Sequence, residues 1–364
     1  MKIDSLKAYP VAIDRSEVFR IATGSSLTAE NVYVVTQAEN LRGWGNSCPN
    51  EVTHETTESV LEMLRGAKGK VENRDMDVAG IWEDISREYP KDPSAVAGLD
   101  IALYDLLGKS QGKEIFQFRG GRKGGVLTDR TIGIMGFSET VEHAREYVDL
   151  GFRALKIKIG LDLLEDIRRV EAVRQEVGGD VRIWVDANQG YTVEEAITLC
   201  DTLGDLGVEF VEQPVREDDL QGLKRVSEET SVPVMADEVV KDHHMAERIC
   251  SQELADMINI KLMKCGGLTG AWKIVDVLEQ YGVDAMVGCM GEDVPAIAAG
   301  VHLCLTTDRI KYADLDSHFM LSDRVFRGLE FRDGKLWLSG EPGLGVSVDR
   351  EKLQRYAMDL EAVL

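Results

Sequence analysis

At 364 residues the chain has room for two domains, or for one barrel with additions. Its formal charge of −22 argues against the clustered lysine and arginine that grip nucleic-acid phosphates or anionic lipid, and no apolar stretch approaches the length of a membrane span. Six cysteines, Cys48, Cys200, Cys250, Cys265, Cys289 and Cys304, show no C-x-x-C or Cys/His ligand spacing; this excludes a zinc ribbon and, with charges scattered through "MKIDSLKAYPVAI" where a signal peptide would be apolar, predicts free thiols in a cytoplasmic protein.

The first 125 or so residues predict an extended start, a strand at "NVYVVTQ", helices around 55–66 and 76–89, and a further helix at "SAVAGLDIALYDLLGKSQG". From about residue 128 one pattern recurs. Eight short Val/Ile-rich runs, "RTIGI" (130–134), "ALKIKI" (154–159), "RIWVDA" (182–187), "VEFVEQ" (208–213), "VPVMAD" (232–237), "MINIKL" (257–262), "DAMVGC" (284–289) and "KYADLD" (311–316), are separated by seven segments of helical periodicity. Strands alternating with helices give a parallel sheet, and eight such units without a G-x-G-x-x-G loop after the first strand predict a closed barrel. The tail carries "GLEFRDGKLWL", two β-prone arms about Asp333-Gly334, which is a hairpin signal. The expected fold is α/β, a modified TIM barrel of (β/α)7β form. Residues 126–317 form the barrel, 1–125 an α+β domain, and 318–364 a segment that returns to complete that domain.

Chemistry in a βα barrel sits at the C-terminal ends of the strands. Strand 2 offers Lys156 and Lys158, strand 3 Asp186, strand 4 Glu212, strand 5 Asp237, strand 6 Lys261, and strand 8 Asp314 and Asp316. From Lys158 to Lys261 the intervals are 28, 26, 25 and 24 residues, about one βα unit each. Taken singly, an acid after a strand is as readily a helix N-cap. At matched register three carboxylates converge on one point, and they cannot all stay ionised without a cation. An all-oxygen set suits Mg²⁺, or Mn²⁺, rather than zinc. Lys158 and Lys261, from opposite sides of the barrel, would face each other across a substrate held there. Lys156 would lower the pKa of Lys158 by like-charge repulsion, tuning it as a general base. The reaction so implied is removal of a proton α to a carboxylate through a metal-stabilised enolate. A second base on the opposite face inverts the centre, whereas a β leaving group would give a dehydratase.

These residues resemble the enolase superfamily, and within it the muconate lactonizing enzyme subgroup: Lys156-Ile157-Lys158, Asp186-Ala187-Asn188, Glu212-Gln213-Pro214, Asp237-Glu238 and Lys261 stand as K-x-K, D-x-N, E-Q-P, D-E and the strand 6 lysine. "AGLDIALYDLLGKSQGK" and "FRGGR" resemble its capping domain and the junction with the barrel. The mandelate racemase branch uses a strand 7 histidine, which "DAMVGCMGE" lacks. Asp314-Leu315-Asp316 and Cys289-Met290-Gly291-Glu292 are most similar to the dipeptide epimerases, whose D-x-D pair binds the substrate α-ammonium group. The resemblance implies an isomerase that epimerises dipeptides at the carbon α to the C-terminal carboxylate, with Asp314, Asp316, Asn188, Glu238, Thr23, Gly24, Cys289, Met290, Glu292 and Asp293 about the substrate. The partner expected is the small-molecule dipeptide, not nucleic acid or membrane, and homo-oligomerisation is left open. The competing readings in the same subgroup are a racemase, dehydratase or cycloisomerase acting on an N-acylamino acid, hydroxyproline or muconate.

Two departures bear on substrate choice. Gly24, in the expected mobile loop "FRIATGSS", stands where Ala-Glu-selective members carry arginine, which argues against a C-terminal acidic residue, with Arg20 and Arg42 left as the compensating cations. A second loop, "GWGNSCPN", replaces an E-A-x-P-like run, and the extra carboxylate of Asp293 reads either as the cap of a helix opening "VPAIAAGVHLCL" or as a site acid that favours a cationic or apolar dipeptide. A Schiff-base lyase using Lys158 or Lys261 would leave the three carboxylates without a purpose.

Overall fold

The computed structural model describes residues 1–358, so that 359–364 of the expected C-terminal segment lie outside the described residues. The chain opens with a three-stranded antiparallel sheet, β1 (Ser5–Ile21), β2 (Gly24–Ala38) and β3 (Leu41–Ser47). Three helices follow: α1 (Thr57–Val71), α2 (Val78–Glu88) and α3 (Pro93–Gln111). A capping box between Thr56 and Ser59 starts α1, while Pro93 opens α3 and left-handed Gly112 closes it. Helix α3 is buried along most of its length because the sheet packs on one side and the barrel on the other. The sheet approaches so closely that a Cβ on Gly45 would lie 1.9 Å from the Gly98 carbonyl oxygen.

Both segments expected as loops are in fact largely strand. "FRIATGSS" forms the tip of the β1–β2 hairpin, with Phe19 opposite Ser26 and Ile21 opposite Gly24, and "GWGNSCPN" runs as β3 as far as Ser47. Cross-strand pairing overrides the weak local signal of glycine and serine.

After β4 (Val126–Leu127) come eight parallel strands in sequential order. They are β5 (Arg130–Ile132), β6 (Ala154–Lys158), β7 (Arg182–Asp186), β8 (Val211–Glu212), β9 (Val234–Ala236), β10 (Met257–Lys261), β11 (Asp284–Gly288) and β12 (Ile310–Ala313). The ladder runs unbroken from β5 to β12, and the seam between these two edges is stitched instead by single contacts. Asp129 N–H donates to Ala313 O at 3.2 Å, Leu315 N–H to Thr128 Oγ1 at 3.0 Å, and Thr131 N–H to Asp316 Oδ2 at 2.7 Å.

Alternation along each strand layers the interior. Ala154, Trp184, Phe210, Met235, Met257 and Met286 form a separate apolar plug, with Tyr312 against it. Two residues further along the same strands stand Lys156, Asp186, Glu212, Asp237, Asn259 and Asp314, all buried. The plug is the floor beneath the polar layer.

The last strands are β13 (Phe326–Arg327), β14 (Leu329–Arg332), β15 (Lys335–Leu338) and β16 (Ser347–Val348). β14 and β15 pair about Asp333 and Gly334, both at positive φ (53° and 73°), as an Asp-Gly turn requires. Phe326 packs on Tyr33 and Trp44 of the N-terminal sheet, and Tyr33 and Phe326 ring centroids are 4.9 Å apart.

Candidate active site

Register brings the polar layer together. Lys158 is directly opposite Asp186 across β6 and β7, and Asp186 is opposite Glu212 across β7 and β8. The Lys158 Nζ lies 2.6 Å from Asp186 Oδ2, and on the far side Lys261 Nζ lies 2.7 Å from Asp237 Oδ2. Lys156 reaches from below to Asp186 (3.0 Å), Glu212 (2.7 Å) and Asp314 (2.8 Å). The result is an arc of lysine, three acids and lysine, with a further lysine under its centre.

Burial works against every charge here, and the opposite charges decide which survive. For Lys156 it would favour the neutral amine, but Asp186, Asp314 and Glu212 together hold the ammonium well above the usual lysine range. Burial likewise opposes Lys261, and Asp237 and Glu212 outweigh it. Asp186 and Asp237 sit below the usual carboxylate range despite their burial, Asp186 through Lys156, Lys158 and Lys261, and Asp237 through Lys261 and Lys264. Glu212, between the two acids, is pushed up to about 8 by burial and by Asp186, more than Lys156 can offset.

These residues fit a hard divalent cation. Glu212 Oε2 is buried, meets the Lys156 ammonium at 2.7 Å and makes no hydrogen bond among the described residues, and the carboxyl groups on either side leave negative charge that the lysines do not fully answer. Three carboxylates from adjoining strand ends are a donor set for Mg²⁺.

Around the arc, Asn188 and Glu238 link one lysine to the acids. Asn188 lies in the left-handed region (φ 41°), so its N–H turns back to Asp186 Oδ1 at 2.9 Å. Its amide accepts from Lys158 at 3.1 Å and donates to Glu238 at 3.2 Å, and burial, then Asp237 and Asp186, push Glu238 up to about 7. Cys289 Sγ, just past β11, and one oxygen each of Asp314 and Asp316, just past β12, lie within 4.8 Å of one another. Arg130 Nη1 donates to Asp316 at 3.0 Å.

The N-terminal sheet and the loop after β3 roof this mouth. Ile134 N–H donates to Arg20 O at 2.8 Å, which ties the hairpin tip with exposed Thr23 and Gly24 to the end of the first barrel strand. Asn50 Nδ2 lies 2.6 Å from Met290 Sδ, at the end of β11. Among the described residues a Cβ at Gly24 would have one neighbour within 4.0 Å, the Glu51 carboxylate. Glu292 folds onto its own loop, accepting from Met290 and Gly291 N–H at 2.5 and 2.8 Å. Asp293 takes the helix-cap alternative and not the substrate shell: it is the N-cap residue of the helix Val294–Cys304, fully buried, and its carboxylate accepts from the Tyr33 hydroxyl at 2.7 Å, inside the packing between sheet and barrel.

Three contributors are not evident from the strand-end pattern. Lys264, on the one-turn helix Leu262–Cys265, lies 2.5 Å from Asp237 Oδ1. Asn259 Nδ2 donates to Glu212 Oε1 at 2.8 Å. Asp129, at the seam, is fully buried beside Asp314 and Asp316. For Asn259 a signal exists, since it is the inward residue two before Lys261; the other two depend on loop geometry.

Comparison with known proteins agrees with this geometry. Residues 139–352 match the enolase C-terminal domain-like family, and residues 6–120 match the N-terminal domain of mandelate racemase and muconate lactonizing enzyme. The chain is 36% identical to an L-Ala-D/L-Glu epimerase of Bacillus subtilis, over 95% of this chain and 97% of that one. It is also 36% identical to a hydrophobic dipeptide epimerase of Enterococcus faecalis, over 95% of this chain and all (100%) of the other. A crystal structure of a dipeptide epimerase from Enterococcus faecalis, complexed with Mg and the dipeptide L-Leu-L-Tyr, superposes with a TM-score of 0.92 at 36% identity, over 95% of this chain and 100% of that one.

Proposed function

The chain belongs to the mandelate racemase and muconate lactonizing enzyme family of the enolase superfamily, and from that premise we propose that it epimerises dipeptides by two-base proton transfer at the carbon α to the C-terminal carboxylate. The observation that carries the reading is the placement of Lys158 and Lys261. They stand on β6 and β10, four strands apart in a sheet of eight, with their ammonium groups on the outer acids of one carboxylate arc.

Asp186, Glu212 and Asp237 are the ligands that would hold Mg²⁺. When bound, the ion supplies positive charge against the substrate carboxylate, which is what makes the α proton acidic enough to leave. Lys158 and Lys261 face the α carbon from opposite sides. One takes the proton from one face and the other returns a proton to the opposite face, which inverts the centre. Lys156, held charged, bridges Asp186, Glu212 and Asp314 beneath the arc, while Asn188 fixes the direction of the Lys158 ammonium group. Asp314 and Asp316 take the substrate α-ammonium group, a charge-assisted contact that an N-acyl substrate could not make. The roof closes the mouth from water, and six free cysteines are in keeping with a cytoplasmic setting.

A panel of L,L-dipeptides incubated with the protein and Mg²⁺ in D₂O tests the reading. Deuterium at the C-terminal residue's α carbon, with inversion, is expected for at least one member. Absence of exchange across the panel would defeat it.

A further inference from the structure

Asp129 is fully buried at the seam of the barrel, and its N–H is fixed by the Ala313 carbonyl at 3.2 Å. Among the described residues no donor reaches either of its carboxyl oxygens. Its neighbours are instead two further acids, Asp314, which directly follows the Ala313 carbonyl that holds the Asp129 N–H, and Asp316, with Lys156 beyond. The cations nearby are engaged elsewhere: Lys156 lies 2.8 Å from Asp314 and is shared with Asp186 and Glu212, and Arg130 lies 3.0 Å from Asp316. Two carboxylates cannot hydrogen-bond to each other, because each offers only lone pairs. A proton on one of them turns the repulsion into a short, directional bond.

We propose that Asp129 is kept as a neutral carboxylic acid that donates its proton to Asp314, and that it is a positioning residue which aims the Asp314–Asp316 pair at the substrate's α-ammonium group. Burial, then Asp314 and Asp316, hold the Asp129 carboxyl well above the usual carboxylate range, in keeping with this geometry. The arrangement leaves Asp314 with one oxygen on Lys156 and the other accepting from Thr131 Oγ1 at 3.3 Å, so the carboxylate has a single orientation. It also limits the negative charge at the seam to the D-x-D pair. A third ionised acid would pull that pair apart and draw Lys156 away from the base it flanks. Asp129 touches neither the α carbon nor a base, so its loss should show in substrate binding and not in proton transfer.

This inference rests on the dipeptide reading, and the experiment separates the two. Asp129→Leu removes the donor, and Asp129→Asn keeps a neutral one of the same shape. The expected result is a KM for dipeptide raised about tenfold or more in the leucine variant with kcat within about threefold, and a near wild-type KM in the asparagine variant. An unchanged KM in the leucine variant, or an asparagine variant as impaired as leucine, overturns the proposal; should the leucine variant fail to fold, the asparagine variant decides by the same criterion. Independently of turnover, the infrared difference spectrum between wild type and Asp129→Asn at neutral pH should carry the carbonyl band of a protonated acid. Its absence overturns the shared proton, whereas the band without turnover of any dipeptide counts against the dipeptide reading alone.

Discussion

Lys264 holds Asp237 at two points, with its ammonium nitrogen 2.5 Å from Oδ1 and in contact with the backbone carbonyl oxygen of the same residue. Both residues are buried, and the lysine arrives on a one-turn helix that follows the sixth barrel strand directly. Its ammonium answers the side of Asp237 that Lys261 does not.

Breaking such a pair leaves a buried carboxylate short of positive charge, which costs about 3–5 kcal/mol. Lys264→Met should therefore lower the thermal midpoint of the metal-free protein well below that of wild type. Mg²⁺ places charge on the same carboxylate, so the rise in midpoint on adding it should be larger in the variant than in wild type. Thermal scans with EDTA and with Mg²⁺ check both signs, and equal Mg²⁺ shifts would show that Lys264 does not answer Asp237.

The opposed lysines predict an asymmetry that few other arrangements give. With an L,L-dipeptide in D₂O, the variant lacking the base on the side of the departing proton should lose α exchange by about 10²–10⁴-fold. The variant lacking the other base should still exchange but not invert. Proton NMR of Lys158→Ala and Lys261→Ala, each with the L,L and the L,D substrate, assigns the faces. Equal loss of exchange in both variants with both substrates would argue against one base per face.

Most of this arc is legible in the sequence, because period-two alternation and a unit length of 24–28 residues are enough to put Lys158, Asp186, Glu212, Asp237 and Lys261 at equivalent strand ends. What is not legible depends on pairings remote in the chain. Lys264 lies three residues past Lys261, beyond the strand-end register, and only the immediate turn after β10 brings it back to Asp237. Asp129 and Arg130 carry no signal of their own at the start of the first strand run, and become seam residues only when the eighth strand arrives beside the first. The hairpin over the mouth is hidden because "ATGSS" has no strand propensity of its own and is held by its partner strand and by Ile134. Asp293 is ambiguous for the converse reason: an acid next to a strand end reads as a site group or as the cap of the following helix, and it is the N-cap of Val294–Cys304 with its carboxylate on the Tyr33 hydroxyl.

Asp316 is held by the Thr131 N–H at 2.7 Å and by Arg130, which leaves it oriented but not exclusively neutralised. Asp316→Asn keeps the shape and removes the charge. A charge-assisted bond to an ammonium group is worth about 1.5–3 kcal/mol, so KM for a free dipeptide should rise about 10- to 100-fold. Since the reacting carbon is remote from this contact, kcat should fall much less. Steady-state kinetics on one good substrate decide the matter, and a drop confined to kcat would remove Asp316 from ammonium recognition.

His302 gives the fold a pH dependence distant from the arc. It is fully buried on the helix Val294–Cys304, stacks on Phe116 and accepts from the Phe116 N–H at 3.4 Å. Burial pushes its pKa down from 6.5 to about 3, and a backbone contact with Leu344 offsets little of that. Between these values the unfolded chain binds a proton that the folded one refuses. The stability that neutral His302 contributes is therefore complete above pH 6.5 and falls by about 1.4 kcal/mol per pH unit as the pH drops toward about 3. His302→Gln keeps an acceptor for Phe116 and does not titrate. His318, also buried and lowered to about 3, contributes equally to both proteins and cancels in their difference. Urea unfolding of wild type and His302→Gln at several pH values between 6.5 and 5 should show the wild-type advantage shrinking as the pH falls, and a constant difference would mean that His302 is protonated in the folded state.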